Sequence, residues 1–229
     1  MSNPKYLFAA VVFAVPAMCF AQSKAPAQEQ AGVYIGGSAG QSSTSFDSND
    51  FGRSTTGVDV SFDKTYPSWK LFVGYNFNRN WAIEGGYSDL GKPVVRYAGT
   101  GVLAPAGLTG QATLKNTSWF FAGKGTLPIT DAFGLFAKLG VTRNNSDLAG
   151  SIDVANAAVR TALVNAGFPL SISKSENRTG LLAGVGVEYS LQRNFRIRAE
   201  YEDYGKFGNE NDTGRTKTNA WSIGMTYAF

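Results

Sequence analysis

The residues of this chain that could form an interacting site are charged residues that alternate with large apolar ones. In the segments around them, apolar residues occupy every second position, and charged or small residues stand between them. Side chains at alternate positions of a β-strand point to opposite faces, so these charged residues would share one face. Both signs are present, and opposite charges held away from water form ion pairs. The residues concerned are Lys70, Glu84, Lys124, Lys138, Glu188, Arg196, Arg198, Glu200 and Glu202.

Other kinds of chemistry lack their usual residues. The chain contains no histidine, which is the most frequent general base, so we expect no enzyme activity. The pairs Gly36-Gly37 and Gly85-Gly86 suit close strand packing rather than phosphate binding, because no helix follows them. The net charge of +4 is scattered and forms no basic block, so no nucleic-acid partner is expected. We predict no cofactor and no metal site, and we interpret as solvated the loop carboxylates Asp47, Asp50, Asp59 and Asp63.

Strict alternation returns eight times along the chain and predicts eight β-strands. The segment from Trp69 to Phe77 shows it best, with a large apolar residue at every odd position. After the first residues, no segment has the roughly 18 uncharged apolar residues of a transmembrane helix. The first predicted strand, from Val33 to about Gly40, is Gly-rich and weaker, and the others cover 69–77, 81–87, 119–127, 133–141, 181–189, 195–201 and 221–229.

The predicted connections are alternately short and long. Tight turns with turn-forming residues are predicted at 78–80, 128–132 and 191–194. The long connections cover 41–66, 90–113, 142–178 and 203–217. Short turns on one rim and long loops on the other are typical of outer-membrane barrels. In the third long loop, apolar residues from Ile152 to Ala166 fall three or four apart, which predicts a short amphipathic helix over the barrel mouth, or else a mobile Ala-rich loop.

The placement of aromatic residues distinguishes a membrane barrel from a soluble one. The apolar face points inward in a soluble barrel and outward in a membrane barrel. Aromatic residues on this face form two groups, as in interfacial girdles. One group is Trp69, Tyr87, Trp119, Tyr201 and Trp221, and the other is Phe77, Trp81, Phe133, Tyr189, Phe195, Tyr227 and Phe229. We therefore predict an all-β fold, an eight-stranded antiparallel up-and-down transmembrane β-barrel with short periplasmic turns and long extracellular loops.

The charged face would then lie inside the barrel. Eight strands leave a narrow interior that side chains fill, and an unpaired charge there is very costly. We expect Glu84 and Glu188 to pair with Lys124 and Arg198. Two interpretations stay open: a polar plug that fixes strand register, or a gate in which exchange of ion-pair partners opens a thin water path.

The first residues predict export. A short basic start, an apolar run from Tyr6 to Phe20 and a small residue at Ala21 are typical of a secretory signal peptide. Cleavage is expected after Ala21, and the alternatives are an uncleaved anchor or a lipoprotein acylated at Cys19. Cys19 is the only cysteine, so the mature chain would hold no disulfide. The predicted organisation is a signal peptide at 1–21, a short N-terminal segment at 22–31 and the barrel at 32–229.

Four stretches of the chain resemble the transmembrane domain of the OmpA-like outer-membrane proteins. They are Trp-Ala-Ile-Glu-Gly-Gly-Tyr-Ser-Asp-Leu-Gly (81–91), Ala-Gly-Lys-Gly-Thr-Leu-Pro-Ile-Thr-Asp (122–131), Gly-Val-Glu-Tyr (186–189) and Arg-Ile-Arg-Ala-Glu-Tyr (196–201), with Tyr-Ala-Phe at the end. The resemblance implies a switching ion-pair network of Glu84, Lys124, Glu188 and Arg198, and strand parity adds Lys138, Arg196 and Glu200 to the candidate set. It also implies that Phe229, with Tyr227, is a signal recognised by the outer-membrane assembly machinery.

The resemblance does not extend to every property of that family. Full-length relatives continue into a periplasmic peptidoglycan-binding domain, which is not expected here, so tethering to the cell wall is not carried over. The smaller opacity-type adhesin barrels are an equally good comparison.

Three functions follow as hypotheses. The first is an integral outer-membrane protein with a structural or surface-interaction role, whose loops contact an extracellular ligand or a host surface. The second is a small gated pore, and the third is a soluble periplasmic ligand-binding barrel. For the first two, the expected partners are outer-membrane lipid and the assembly machinery, and we expect a monomer.

Overall fold

Residues 31–46, 58–62, 65–99, 107–207 and 216–229 are described by the computed structural model. The predicted signal peptide and all but the last residue of the predicted segment 22–31 lie outside these ranges. The described residues form ten strands and one helix: β1 (Gly32–Phe46), β2 (Val58–Phe62), β3 (Thr65–Asn76), β4 (Trp81–Asp89), β5 (Val94–Gly99), β6 (Leu108–Pro128), β7 (Phe133–Val154), α1 (Ala157–Asn165), β8 (Ser171–Ser190), β9 (Phe195–Phe207) and β10 (Thr216–Ala228).

Eight of these strands form a closed antiparallel barrel. β1 pairs with β3 on one side and with β10 on the other. The pairing of β6 with β7 completes the ring in the order β1-β3-β4-β6-β7-β8-β9-β10. Closure gives each strand two hydrogen-bonded neighbours, as a sheet that spans a membrane requires. The predicted eight-stranded up-and-down barrel is confirmed.

The other two strands extend the barrel wall beyond β3 and β4. β5 pairs with residues 109–113 of β6, next to the segment of β6 that pairs with β4, and β2 pairs with β5. The break between β4 and β5 contains Gly91, whose φ of 88° favours glycine. Its N–H donates to Asp89 Oδ1 (2.9 Å), and the Pro93 carbonyl accepts from Leu114 N (2.8 Å). The sheet therefore continues past this break.

Side-chain hydrogen bonds stabilise the three tight turns, as the sequence predicts. Asn78 Oδ1 accepts from the backbone N–H groups of Asn80 and Trp81 at 2.8 and 2.9 Å. In the second turn, Thr130 Oγ1 accepts from Phe133 N at 2.9 Å. Asn194 Nδ2 in the third turn donates to the Ala228 carbonyl at 2.6 Å. The bonds of the first two turns are local and favour reversal of the chain there, whereas the third fastens its turn to the end of β10.

The strands run much further toward the opposite rim than alternation predicts. β7 reaches Val154 and β8 begins at Ser171, so most of the predicted loop 142–178 is strand. The predicted bounds of the other long loops are wrong in the same way. Beyond a bilayer the outer face of a strand meets water and needs no apolar residue at every second position. Polar residues stand at outward positions there, where Ser175 Oγ donates to Asp147 Oδ1 (2.6 Å) across β7 and β8. On the inner face Ser118 Oγ donates to Asn144 Oδ1 (2.7 Å).

The predicted helix is present but shorter than expected. α1 lies between β7 and β8, and Ile152 belongs to β7 instead. Asn156 caps the helix, because its Oδ1 accepts from Ala158 N (3.0 Å) and Val159 N (3.2 Å). No residue of α1 is buried, so it does not pack over the barrel mouth. In the described part of the chain, no helix is long and apolar enough to cross a membrane.

The outer face of the ring is apolar and the inner face is polar, as predicted. Large apolar side chains on the outside are well exposed, among them Trp119 (63%) and Leu181 (70%). The aromatic residues contact one another at both levels, with ring centroids 5.1 Å apart for Tyr87 and Trp119 and 4.9 Å apart for Phe195 and Tyr227. We call these levels the long-loop girdle (Trp69, Tyr87, Trp119, Tyr201 and Trp221) and the short-turn girdle (Phe77, Trp81, Phe133, Tyr189, Phe195, Tyr227 and Phe229).

Candidate functional site

The barrel interior holds equal numbers of positive and negative side chains. Six strands contribute them, and each residue occupies the inward position of its strand. All are buried, with exposed fractions of 7% or less. Among the described residues, this charged cluster consists of four cations and four carboxylates: Lys70, Glu84, Lys124, Lys138, Glu188, Arg198, Glu200 and Glu202.

The two ion pairs expected from the sequence are present in the geometry. Arg198 Nη1 donates to Glu84 Oε1 at 2.8 Å. Lys124 Nζ donates to Glu188 Oε2 at 2.5 Å. Glu188 and Arg198 are register partners on β8 and β9, yet each bonds to a residue on another strand. These two pairs therefore form across the lumen, while Arg198 Nη2 also donates to Glu200 Oε2 on its own strand at 2.9 Å.

Lys138 is the most connected cation of the cluster. Its Nζ lies 3.1 Å from Glu84, 2.8 Å from Glu200 and 2.6 Å from Glu202. Lys70 shares two of these carboxylates, at 2.7 Å from Glu200 and 2.6 Å from Glu202. Strand parity places Lys70 and Glu202 on the inner face, but the candidate set predicted from the sequence does not include them. Nothing in the sequence indicates that β3 and β9 face each other across the lumen.

Inward aromatic rings separate the charged side chains from the barrel wall. The Arg198 guanidinium carbon lies 4.7 Å from the ring centroids of both Phe72 and Phe136. Such cation–π contacts stabilise a desolvated cation. Tyr34 adds a hydrogen bond, since its hydroxyl donates to Glu84 Oε1 at 2.8 Å. Sequence reasoning missed these rings because it followed only the aromatics of the outer face, although their even positions mark them as inward.

An apolar plug closes the interior on the long-loop side of the charged cluster. It consists of Leu90, Leu182, Tyr204 and Phe207, each 1% exposed or less. The Tyr204 hydroxyl donates to Glu202 Oε2 (2.9 Å), which joins the plug to the cluster. Most of these residues come from segments that the sequence predicts to be loops. Charged cluster and plug together fill the lumen with side chains.

Two remaining candidates lie at the short-turn rim. Arg196 is only half buried and lies beside Ser190 and Thr226 in the sheet register, away from the charged cluster. Phe229 is 73% exposed on the outer face and stacks edge-on against Tyr227, with ring centroids 5.1 Å apart. Its backbone N–H donates to the Val33 carbonyl at 3.1 Å. The terminal aromatic therefore belongs to the short-turn girdle.

The chemistry that this arrangement supports is mutual neutralisation of charge. Within the described residues, no group of three or more carboxylates, cysteines and histidines could hold a metal ion. Of the loop carboxylates, Asp47, Asp50 and Asp63 lie outside the described residues, and Asp59 lies in β2. Beyond the long-loop girdle, the hydrogen bond from Lys217 to Asp203 (2.7 Å) raises the pKa of Lys217.

Comparisons with known proteins agree with this architecture. The family model described as outer membrane protein beta-barrel domain matches residues 9–229. Outer membrane protein A of Serratia marcescens is 26% identical over 159 residues, which are 69% of this chain and 38% of that protein. The chain thus spans less than half the length of that curated relative.

Solved structures of other outer-membrane proteins are similar to this chain at low sequence identity. Neisserial surface protein A superposes with a TM-score of 0.53 at 14% identity, covering 88% of this chain and 100% of that one. OprG of Pseudomonas aeruginosa has a TM-score of 0.49 at 18% identity, covering 90% and 99%. The hypothesis of a soluble periplasmic barrel is wrong, because the apolar face points outward and the family is a membrane family. The chain belongs to the outer-membrane β-barrel family and is an OmpA-like integral protein of the bacterial outer membrane.

Proposed function

We propose that the barrel is a rigid membrane anchor that presents a β-sheet on the cell surface for contact with an extracellular partner. The observation that carries this proposal is the length of β6, β7 and β8. From Trp119 in the long-loop girdle to Leu108 at its start, β6 continues for 11 residues. At about 3.4 Å per residue that is a projection of about 37 Å along the strand.

The tip of this projection exposes apolar side chains to water. Ile152, Phe168 and Ile172 are all exposed, although they lie far beyond the long-loop girdle. Next to them is a cleft of about 320 Å³ lined by uncharged residues, including Gly110 and Leu170. Contiguous apolar surface outside a membrane supports a contact site for another molecule.

Attachment of bacteria to epithelial cell monolayers tests this role. Cells that display the Ile152→Lys variant should attach about tenfold less than cells with the unchanged protein, which corresponds to about 1.4 kcal/mol. Ser173→Lys is the matched control, since it adds the same charge at an exposed polar position of β8 close to the tip. Equal attachment by Ile152→Lys cells, by Ser173→Lys cells and by cells without the protein would contradict the proposal.

The filled interior supports a barrel that does not conduct and does not catalyse. Any water path would have to pass both the charged cluster and the apolar plug, and the four interior carboxylates are buried, with exposed fractions of 7% or less. In planar bilayers we expect no stepwise conductance, and the Lys138→Met variant should likewise show no stepwise conductance. Channel openings that disappear in Lys138→Met would favour the gated pore instead.

Phe229 also fits a role in assembly. Its ring is exposed at the end of β10, and nothing packs over its outer side in the described chain. We expect removal of Phe229 to leave the protein in the periplasm, because the assembly machinery would no longer recognise β10. Normal membrane insertion of the shortened chain would speak against that role.

A further inference from the structure

Both glycine pairs singled out in the sequence lie on one groove in the outer face of the barrel. The groove has a volume of about 900 Å³, and its lining contains Gly36, Gly37, Gly85 and Gly86 together with Leu71 and Met225. Every lining residue is uncharged. Close strand packing, the role expected for these glycines, explains only two of the four.

The inward glycines, Gly36 and Gly86, make room for a side chain inside the barrel. A Cβ at Gly36 would collide with the ring of Phe72, and a Cβ at Gly86 would lie 2.7 Å from Phe72 Cβ. Phe72 in turn packs against Arg198 in the charged cluster. These two glycines are therefore required by internal packing.

The outward glycines have no such internal reason. A Cβ at Gly85 would come no closer than 3.5 Å to any atom, which is ordinary van der Waals contact. A Cβ at Gly37 would lie 3.1 Å from the flexible end of Leu71 and 3.6 Å, an ordinary contact distance, from the Lys70 carbonyl. Side chains would fit at these positions, yet the chain leaves bare backbone facing the bilayer.

The groove runs between the two aromatic girdles. In the sheet register, Tyr227 stands beside Ile35, Ile35 beside Val73, and Val73 beside Gly85. Because strands in such barrels tilt by about 35–45°, this row climbs from the short-turn girdle toward Trp119 in the long-loop girdle. From β10 to β6 it crosses four strand spacings, about 19 Å at about 4.8 Å each. At that tilt the row rises about 12 Å along the bilayer normal. This lies within the roughly 15 Å hydrocarbon thickness of one leaflet, so a single acyl chain can follow the groove.

We propose that this groove is a lipid-binding site that holds one acyl chain of an outer-membrane lipid. The groove is continuous with the surface that already contacts the bilayer, so acyl chains are always available to it. Inside a bilayer no hydrophobic effect drives association, so packing contacts determine how long an acyl chain remains in the groove. An acyl chain in the groove contacts the floor and the walls of the groove, whereas an acyl chain on the convex barrel wall contacts protein on one side only. The additional contacts in the groove add dispersion energy.

Photolabelling of the unchanged protein tests the site directly. The protein is placed in nanodiscs of phosphatidylcholine that carries a diazirine in one acyl chain, irradiated and mapped by peptide mass spectrometry. Leu71, Val73 and Met225 should be labelled about threefold more than the exposed residues Leu135, Leu139 and Val185 on the opposite wall, which corresponds to about 0.6 kcal/mol. Equal labelling of the two walls would overturn the proposal.

Two matched variants separate this site from general lipid contact. Gly85→Leu fills the groove and should reduce labelling of Leu71 and Met225 to the level of the opposite wall. Gly123→Leu adds the same side chain at an outward glycine outside the groove, where the nearest atom is 3.9 Å from the Cβ, and should change nothing. Both variants are first shown to be folded by a heat-modifiability gel shift. Groove residues that are protected from label, with cross-linked dimers that Gly85→Leu abolishes, would instead identify a second copy as the occupant and overturn the proposal.

Discussion

Removal of the negative charge of Glu84 should destabilise the barrel more than any surface change of similar size. Glu84 is fully buried and accepts hydrogen bonds from Tyr34, Lys138 and Arg198. Glu84→Gln keeps the volume but leaves four cations against three carboxylates. Breaking a buried ion pair from one side costs about 3–5 kcal/mol, because the remaining charge stays desolvated. That is a large share of the roughly 5–15 kcal/mol that stabilises a typical domain.

Urea unfolding from phospholipid vesicles measures this loss. The four tryptophans, Trp69, Trp81, Trp119 and Trp221, all lie on the outer face, so their emission reports departure from the bilayer. Asp131→Asn is the control. It removes an exposed pair in which Arg79 lies 3.7 Å from Asp131, and should cost less than about 1 kcal/mol.

A second substitution tests whether charge balance is the cause. Glu84→Gln combined with Lys138→Met leaves three cations against three carboxylates, and should recover about half of the loss or more. A cost below about 1 kcal/mol for Glu84→Gln, or strictly additive costs in the double variant, would refute the reasoning.

Two further outcomes follow from local geometry. Gly140→Ala should lower the unfolding free energy by about 1–3 kcal/mol in the same urea assay, because its Cβ would collide with the Phe121 carbonyl and Ala122. The control Gly123→Ala should leave the unfolding free energy nearly unchanged. Equal losses in the two variants would contradict this prediction. Asn156→Ala should weaken α1 locally by about 1 kcal/mol through loss of its cap, which hydrogen exchange of the Ala158 and Val159 amides would show, while global unfolding stays unchanged because α1 is exposed.

Strand parity predicted the two faces of the barrel correctly inside the membrane. The bilayer demands apolar residues outside and the closed ring demands paired polar residues inside, so each position of the predicted strand 133–141 has only one acceptable face. The same parity placed Glu84 and Arg198 in the interior. It also placed Arg196 there, although the structure leaves that residue half buried at the rim, where water competes for its charge.

Outside the membrane the sequence signal fails for a physical reason. Polar side chains such as Asp147 and Ser175 occupy the outward positions there and bond to each other across β7 and β8, so apolar and polar residues no longer alternate. The loop predicted at 142–178 is therefore largely strand, and residues 203–207 and 216–217 of the loop predicted at 203–217 are strand as well. Leu90, Tyr204 and Phe207 of the plug lie in segments predicted to be loops. The sequence pattern therefore does not identify them as core residues.

By itself, the sequence determined that this chain is a membrane barrel, which of its faces meets lipid, and that Phe229 ends on that face. Those properties depend on the identity of residues along single strands. Only the tertiary structure decided that Lys138 contacts three carboxylates, that Leu182 and Tyr204 close the lumen, and that two glycine pairs from separate strands form one groove. Such relations depend on which strands become neighbours, on their register, and on which side chains face each other across the lumen. A local pattern of residues does not encode them.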